Sequence, residues 1–133
     1  METVIVRTTK RCELVDITRE VQRCVNESGA VSGAAYIFVP HTTAGVTVNE
    51  NADPDVARDL LYALERIVPN CGFAHCEGNS DAHTKALLTG ASLSVIIEGS
   101  RLALGTWQNI YFCEYDGPRQ RKVYIKIIRE DNS

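Results

Sequence analysis

Residues 36–55 read Tyr-Ile-Phe-Val-Pro-His-Thr-Thr-Ala-Gly-Val-Thr-Val-Asn-Glu-Asn-Ala-Asp-Pro-Asp and organise the fold. Apolar runs on both sides of Pro40 are predicted strands, and the chain is expected to turn or bulge at the proline, which fits poorly inside a central strand. Asp53 supplies a side-chain acceptor at a helix N-cap, and Pro54 suits the first helical position. The stretch therefore predicts two strands followed by a helix.

The flanking sequence predicts further strands and helices. Residues 3–7 and 11–15 are rich in β-forming side chains and are predicted to pair as a hairpin. A helix capped by Asp16 is predicted to follow them and to end by Gly29. The other predicted elements are strands at 33–39, 44–49, 92–97, 101–104, 107–115 and 121–129, a helix from 54 to 68 that Pro69 ends, and a short helix from about 80 to 88.

This order of elements, ββαββααββββ, does not alternate strand and helix throughout. It favours an α+β fold with a mainly antiparallel sheet over a doubly wound one. The last strand alternates Val123, Ile125 and Ile127 with polar or half-polar residues, which is typical of a strand buried on one face. At 133 residues without repeats or linkers, the chain is expected to form one domain, residues 1–133.

Composition excludes several classes of function. A formal charge of −3 lacks the basic excess of a dedicated nucleic-acid binder. No run of 18 apolar residues exists, so no membrane span is expected. The N-terminal residues lack the pattern of a signal peptide, which predicts a cytoplasmic location. No glycine-rich loop follows a predicted strand, so no nucleotide cofactor is expected.

The three histidines, His41, His75 and His83, all fall at predicted strand ends, loops or a helix start. Three neutral imidazoles suit zinc or another transition metal with one open coordination position. Their spacing alone does not bring them together, because Gly78 and Asn79 should break any helix between the last two. The alternative is that they are three separate surface histidines.

Acidic residues in the opening stretch have both structural and chemical interpretations. Asp53 is explained as an N-cap, and Asp55 is favourable in the first helical turn. Glu50 lies with Asn49 and Asn51 at the polar end of a strand and has no such local duty. Glu50 is therefore the better candidate for a general base, or for a group that orients a metal ligand.

A second polar run, residues 78–85, precedes the short predicted helix. Ser80 or Asp81 can cap that helix, whose first N–H groups can then face an anion. Lys85 could add positive charge there, although a single lysine on a helix is more often solvated. The five basic residues between 119 and 129 are most simply a solvated face, with phosphate or subunit contacts as the minor interpretation.

Two further features of the sequence are candidates for chemistry. Gln108 and Glu114 are six residues apart in one predicted strand, so they share a face and could point at one site. Cys71 and Cys76 flank the loop that holds His75, but the chain contains no Cys-x-x-Cys pair. A structural zinc site of the common type is therefore not expected.

Several blocks of sequence resemble the signature of the YjbQ family. The blocks cover about residues 35–125, in order and at similar spacing, and so many together are highly specific. They are Pro40-His41-Thr42-Thr43-Ala44, Asn49-Glu50-Asn51-Ala52-Asp53-Pro54-Asp55-Val56, Asp81-Ala82-His83-x-Lys85-Ala86-x-Leu88-x-Gly90, Leu104-Gly105-Thr106-Trp107-Gln108-x-Ile110-Tyr111 and Glu114-x-Asp116-Gly117-Pro118-Arg119.

The resemblance implies a small α+β, two-sheet β-sandwich with about three helices that assembles as a homotrimer around the threefold axis. It also implies the family's usual label, secondary thiamine-phosphate synthase, which joins a pyrimidine diphosphate to a thiazole phosphate with loss of pyrophosphate. It places His41, His75 and His83 where a metal or an anion binds. Cys71 and Cys76 do not belong to the pattern, which lowers them as ligands.

The residues and the resemblance together predict a thiamine-phosphate-synthase-like transferase, as its main or as a side activity. It is expected to take a phosphate-bearing small molecule and a divalent metal, zinc rather than magnesium, at the three histidines. The alternatives are a metal-dependent hydrolase of a phosphorylated or acyl substrate and a non-catalytic trimeric module that binds a phosphate ligand. Candidate catalytic residues are Glu50, Asp53, Gln108 and Glu114. Candidate phosphate- or substrate-binding residues are Thr42, Thr43, Asn49, Asn51, Ser80, Lys85 and Arg119.

Overall fold

The computed structural model describes residues 1–75 and 78–130, so Cys76 of the predicted loop lies outside the described residues. Its elements follow the predicted order closely. They are β1 (Glu2–Arg7), β2 (Glu13–Asp16), α1 (Thr18–Ser28), β3 (Gly33–Phe38), β4 (Ala44–Glu50), α2 (Pro54–Ile67), α3 (Ser80–Thr89), β5 (Ser92–Glu98), β6 (Arg101–Leu102), β7 (Gln108–Glu114) and β8 (Gln120–Arg129).

The strands form two antiparallel sheets. One has five strands in the order β1-β8-β3-β5-β6, and the other has three in the order β2-β7-β4. Within each sheet, the neighbouring strands pair in antiparallel orientation. The prediction of an α+β fold with two mainly antiparallel sheets and three helices is confirmed.

The predicted hairpin between residues 3–7 and 11–15 is wrong. β1 pairs with β8 in the large sheet, whereas β2 pairs with β7 in the small one. The connection between β1 and β2 crosses from sheet to sheet, and its backbone is hydrogen-bonded to the segment after β7 instead of to itself. The Thr8 N–H donates to the Arg119 carbonyl, and the Gly117 N–H donates to the Arg11 carbonyl.

The main core lies between the two sheets and under α1. Ile37, Ile97, Phe112 and Ile110 are fully buried there, and α1 adds Val21 and Val25 from its apolar face. Alternation along each strand supplies the inward side chains, as the pattern in the last strand predicted. Burying these large apolar groups is the dominant favourable term in the stability of such a sandwich.

Local capping signals were largely correct. The Asp53 side chain accepts a hydrogen bond from the Asp55 N–H, and Pro54 opens α2 as predicted. Asp16 stands one residue before the N-cap of α1, and its carboxylate accepts from the Thr18 N–H at 3.0 Å. Gly29 ends that helix with φ +74°, a left-handed conformation that glycine adopts without steric cost.

The outer faces of the two sheets are covered differently. α3 packs Ala82 and Ala86 against Tyr111, Cys113 and Tyr115 on the small sheet. The outer face of the large sheet carries exposed Tyr36, Phe38, Ile96 and Ile128. Among the described residues, no helix is both long enough and apolar enough to cross a membrane.

Candidate functional site

A polar cleft of about 380 Å³ opens where β4 begins, β7 ends and α3 begins. The link from β3 to β4 provides one wall, the first turns of α3 provide another, and the connection from β7 to β8 provides the third. Its lining residues are Pro40, His41, Thr42, Thr43, Asn79, His83, Asp116, Arg119 and Arg121. Four of them, Pro40, His41, Thr42 and Thr43, come from the opening stretch, so that stretch does contribute to one polar site.

A buried ion pair forms the floor of the cleft. Arg121 is 2% exposed and Glu114 is 0% exposed. The Arg121 Nε donates to both carboxylate oxygens of Glu114, at 2.9 and 3.1 Å, and its Nη2 donates to Glu114 Oε2 as well. The same Nη2 donates to Thr43 Oγ1 at 2.9 Å. Nε and Nη2 are thus held by the protein, and Arg121 contributes to the cleft in a fixed orientation.

The surroundings of Glu114 do not suit the catalytic role predicted for it. Besides Arg121, the carboxylate accepts hydrogen bonds from Thr8 Oγ1 at 2.7 Å and from the Asp116 N–H at 3.1 Å. Burial by itself would raise the pKa of Glu114, but the hydrogen bonds from Arg121 and Thr8 outweigh it and hold the pKa below its usual range. A buried, ionised and fully engaged carboxylate anchors Arg121 and does not reach a ligand.

His41 is tied to the backbone of β8. Its Nε2 accepts a hydrogen bond from the Lys122 N–H at 2.9 Å, so in the neutral ring the proton is on Nδ1. Burial lowers the pKa of His41, and the positive charges of Arg121 and Arg119 lower it further. In this arrangement His41 is an uncharged hydrogen-bond donor whose ring has no lone pair left for a metal ion.

His75 and His83 approach each other without forming a triad with His41. Their ring centroids are 5.7 Å apart, edge to face, and His75 Nδ1 lies 3.0 Å from Ser80 Oγ. Within residues 1–75 and 78–130, no group of three His, Cys, Asp or Glu side chains could hold a metal ion. The predicted three-histidine metal site is not formed in that part of the chain.

The outer rim of the cleft contains a guanidinium, an amide and a carboxylate, from Arg119, Asn79 and Asp116. The Arg119 Nε donates to the Asp116 carbonyl at 2.9 Å, and its Nη2 lies 3.3 Å from Asp116 Oδ2. The Asn79 Nδ2 donates to the same oxygen at 3.0 Å. Arg119 is half exposed at this rim, which suits the phosphate contact predicted for it.

Five of the predicted site residues lie at the far end of β4 and β7. Six residue steps of about 3.3 Å separate the two ends of such a strand, which is about 20 Å. Glu50 pairs there with Gln108, whereas Ala44 pairs with Glu114 beside the cleft. The predicted convergence of Gln108 and Glu114 on one site is therefore wrong. The residues at the far end are Asn49, Glu50, Asn51, Asp53 and Gln108.

Hydrogen bonds at that far end stay within the backbone and neighbouring side chains. Asn49 Oδ1 accepts from the Glu50 N–H at 2.7 Å, and Gln108 Oε1 accepts from the Gly105 N–H at 2.8 Å. Asn51 donates to Asp16 and accepts from the Tyr111 hydroxyl. These bonds fix the ends of the strands and the entry to α2.

Lys85 lies on the side of α3 that faces away from the cleft. Asn79 and His83 are four residues apart and share the cleft face, whereas Lys85 is buried and pairs with Glu65 at 2.8 Å and Asp81 at 3.6 Å. Asp81 also receives two 3.0 Å hydrogen bonds from Arg11. The network joins α2, α3 and the β1–β2 connection, and the structure places Lys85 away from the phosphate role predicted for it.

Sequence reasoning missed Arg121, Asn79 and Asp116. A signal for Arg121 existed, because it has the same parity along β8 as Val123 and Ile125 and therefore belongs to the buried face. The interpretation of residues 119–129 as a solvated basic face concealed it. Asp116 stood in a signature block and Asn79 in the second polar run, but both lie in connections whose course is set by tertiary contacts, so their place in one cleft could not be read from the sequence.

Comparison with known proteins gives one consistent result. A family model described as "UPF0047 protein YjbQ-like" matches residues 2–130. The UPF0047 protein YugU of Bacillus subtilis is 54% identical over 96% of this chain and 98% of its own length. A UPF0047 protein of Methanocaldococcus jannaschii is 52% identical over 92% of this chain and 90% of its own length.

Solved structures agree with the sequence relatives. An uncharacterised YjbQ/UPF0047-family protein from Clostridium acetobutylicum superposes with a TM-score of 0.95 at 53% identity, over 96% of this chain and all of its own. A conserved hypothetical protein from Thermus thermophilus gives a TM-score of 0.90 at 43% identity, with 96% and 100% covered. Both are similar to this chain along its whole described sandwich.

Proposed function

The chain belongs to the YjbQ (UPF0047) family, and on that premise we propose that its cleft binds the phosphate of a small molecule. The observation that carries the proposal is the buried Arg121, which Glu114 and Thr43 hold at the floor of the cleft. A guanidinium fixed in this way pays little conformational entropy on binding and can meet phosphate oxygens directly.

Directed donors, more than net charge, make the cleft suitable for an anion. Glu114 and Asp116 formally offset Arg121 and Arg119, but Glu114 is sealed behind its arginine. His41 adds an uncharged Nδ1–H donor, because its Nε2 is already bonded to the Lys122 N–H. Thr42 is exposed at the same rim. N–H groups of this kind are shared by many phosphate sites.

The reaction we propose is the thiamine-phosphate-synthase-like transfer that the family label implies. In it the thiazole ring nitrogen forms a bond to the methylene carbon of the pyrimidine, while the bond from that carbon to the diphosphate oxygen breaks. Pyrophosphate leaves with the electron pair. Arg119, Arg121 and His41 would stabilise the negative charge that develops on the departing group.

The predicted divalent ion does not fit the three histidines as they are arranged. His41 has its only neutral lone pair in a hydrogen bond, and the described residues provide no group of three metal-binding side chains. We therefore assign no step to a metal. A divalent ion, zinc rather than magnesium, stays a prediction that metal analysis of the untagged protein tests directly.

Metal-dependent hydrolysis is the second candidate reaction, and the 5.7 Å approach of His75 and His83 is the observation in its favour. It requires stoichiometric metal that is lost in His83→Ala, together with water-dependent turnover of a phosphorylated or acyl substrate that the same change abolishes. Metal-free protein, or unchanged turnover in His83→Ala, would exclude this reaction.

A homotrimer is the assembly we propose, and the exposed apolar face of the large sheet supports it. Tyr36, Phe38 and Ile96 share this face, where Phe38 stacks on Tyr124 with ring centroids 6.4 Å apart. Light scattering should give three times the chain mass, and Ile96→Lys should lower that mass while Leu87→Lys, at an exposed α3 position, should not. A monomeric wild-type protein would refute the assembly.

Binding of inorganic phosphate and pyrophosphate, measured by calorimetry, tests the main proposal. Wild-type protein should bind both, and Arg119→Gln should weaken pyrophosphate by about tenfold, the loss of one charge-assisted contact. Arg101→Gln, at an exposed position on β6, is the matched control. Thiamine phosphate formation from the two precursors, assayed with magnesium and with zinc, then separates the transferase from a module that binds without turnover.

A further inference from the structure

Two hydrogen-bond acceptors lie among the donors of the cleft, and no described residue satisfies them. One is Asn79 Oδ1, a buried oxygen without a partner. The other is Asp116 Oδ1, to which no side chain or backbone group of residues 1–75 and 78–130 donates, because Asn79 and Arg119 both contact Oδ2 of that carboxylate. Both residues line the cleft.

The orientation of Asn79 is fixed by chemistry. Its Nδ2 donates to Asp116 Oδ2 at 3.0 Å, and a flipped amide would place two oxygens against each other. Asn79 is also the N-cap residue of α3, yet its side chain makes no capping bond. An asparagine that forgoes its usual cap and leaves its oxygen buried without a donor is unusual, because such atoms are rarely left unsatisfied.

We propose that the phosphate-bearing ligand of this cleft also carries a neutral hydrogen-bond donor, a hydroxyl or an amide or aryl N–H, which Asp116 and Asn79 accept. The inference rests on the proposed function, since it describes the part of the same ligand next to its phosphate. The arginines and His41 would bind the phosphate. Asp116 and Asn79 would then favour phosphate esters that carry a hydrogen-bond donor next to the phosphate.

Charge decides between a neutral donor and a cation. An ammonium group or a magnesium ion would also attract Asp116, but either would enter beside Arg119 and Arg121 and be repelled by both. Arg119 already neutralises Asp116 at 3.3 Å. A neutral donor relieves the two unsatisfied oxygens without that repulsion. Selection by a polar site is strong when the rejected analogue leaves its acceptors unpaired.

Three phosphate esters of matched size provide the test. 2-Hydroxyethyl phosphate carries a neutral donor, propyl phosphate replaces it with a methyl group, and 2-aminoethyl phosphate replaces it with a cation. Calorimetry on wild-type protein should show 2-hydroxyethyl phosphate binding about tenfold more tightly than propyl phosphate. The amino ester should bind no more tightly than the hydroxyl ester.

Substitutions of Asn79 and Asp116 test whether these residues cause the preference for hydroxyethyl phosphate over propyl phosphate. Asn79→Ala and Asp116→Ala should each bring the ratio of the propyl to the hydroxyethyl dissociation constant close to one. Asn26→Ala, which changes an exposed asparagine on α1, should keep the wild-type ratio. Circular dichroism of each variant at the assay temperature establishes that a lost ratio is measured on folded protein.

The outcomes separate this inference from the proposed function. If wild-type protein binds none of the three esters, the proposed function fails. If it binds hydroxyethyl and propyl phosphate equally, phosphate binding stands and the donor inference is overturned. Tighter binding of the amino ester, or a hydroxyl preference that appears only with added magnesium, would overturn it in favour of a cation at Asp116.

Discussion

The two ends of the β4–β7 strand pair carry similar residues and do different things. At one end Glu114 is buried, paired with Arg121 and sealed beneath a cleft. At the other end Glu50 faces Gln108, and the polar groups nearby bond to backbone N–H groups and to one another. Both ends hold carboxylates and amides, but the first combines a buried ion pair with a cleft lined by His41, Arg119 and Arg121.

The difference lies in the charges that meet at each end. β8, α3 and the β1–β2 connection all meet at the cleft end, so Arg121, Asn79 and Thr8 arrive from distant parts of the sequence. The far end also receives partners that are distant in sequence, because Asn51 bonds to Asp16 and to the Tyr111 hydroxyl, but these contacts join an exposed carboxylate to neutral groups. Burying charged groups is costly. Charges that are brought together from distant parts of the chain therefore indicate a site better than many polar residues close in sequence do.

Arg121→Met should produce the largest effect on stability. Removing one partner leaves Glu114 buried without its counter-charge, which costs about 3–5 kcal/mol of unfolding free energy in comparable pairs. Urea denaturation measures the loss, and phosphate affinity should fall with it. Arg101→Met, at an exposed position, should change stability by less than about 0.5 kcal/mol.

A double variant makes this prediction sharper. Combining Arg121→Met with Glu114→Leu removes both charges and should recover much of the stability, though not phosphate binding. If Arg121→Met alone loses less than about 1 kcal/mol, the pair is not the organising feature of the cleft end.

Asp53→Ala tests a residue that serves only structure at the far end. Its side chain caps α2 by accepting from the Asp55 N–H, so its loss should cost about 1 kcal/mol. Asp55→Ala should cost less, because the Asp55–Arg58 ion pair is largely exposed. Denaturant midpoints measure both, and pyrophosphate affinity should be unchanged in each. Weakened binding in Asp53→Ala would restore it as a site residue.

Asp53 and Arg121 also show what the sequence could predict. The helix start needs only Asp-Pro and the residues that follow, so local propensity is enough to place Asp53 correctly. The order and type of the elements followed from the same kind of local pattern. The hairpin failed because strand pairing depends on which sheet receives each strand, and that choice is made by partners far along the chain.

The candidate site was predicted in part for the same reason. The residues His41 to Thr43 were placed at a turn, and they do line the cleft. Arg119 was also found, but the arginine beneath it was not. A count of basic residues suggested a solvated face, whereas the parity of Arg121 along β8 would have placed it inside. Glu50 was predicted because many polar residues surround it in the sequence. It lies at the end of β4 that is far from the cleft.

His41→Gln tests the electrostatics of the cleft end by their dependence on pH. Arg121, Arg119 and Glu114 surround His41, with His83 and Asp116 in the same cleft, and its pKa lies below the ordinary 6.5 because burial and the arginines disfavour its charged form. At a pH between the folded pKa of His41 and the ordinary 6.5, the unfolded chain binds more protons than the folded protein does. The stability that neutral His41 contributes is therefore complete above pH 6.5 and is lost as the pH falls through the folded pKa.

Glutamine can accept the Lys122 N–H without titrating, so unfolding free energy should depend less steeply on pH in His41→Gln than in wild type below pH 6.5. Denaturation series from pH 8 to about pH 5 measure both slopes, and the difference at pH 8 isolates the cost of replacing the ring. Equal slopes would mean that the folded protein leaves the pKa of His41 where the unfolded chain has it.

Glu50→Gln should have the smallest effect and is the most direct test of the comparison. The Glu50 backbone is satisfied by Asn49 Oδ1 and by the Tyr111 hydroxyl, and an amide side chain leaves both bonds in place. Stability should change by less than about 0.5 kcal/mol, and pyrophosphate affinity and any turnover should match the wild type. Glu114→Gln, the same change at the other end, should weaken the hold on Arg121 and lower the affinity. If instead Glu50→Gln abolishes turnover while Glu114→Gln spares it, the chemistry takes place at the far end. The Arg121–Glu114 ion pair would then serve only the fold.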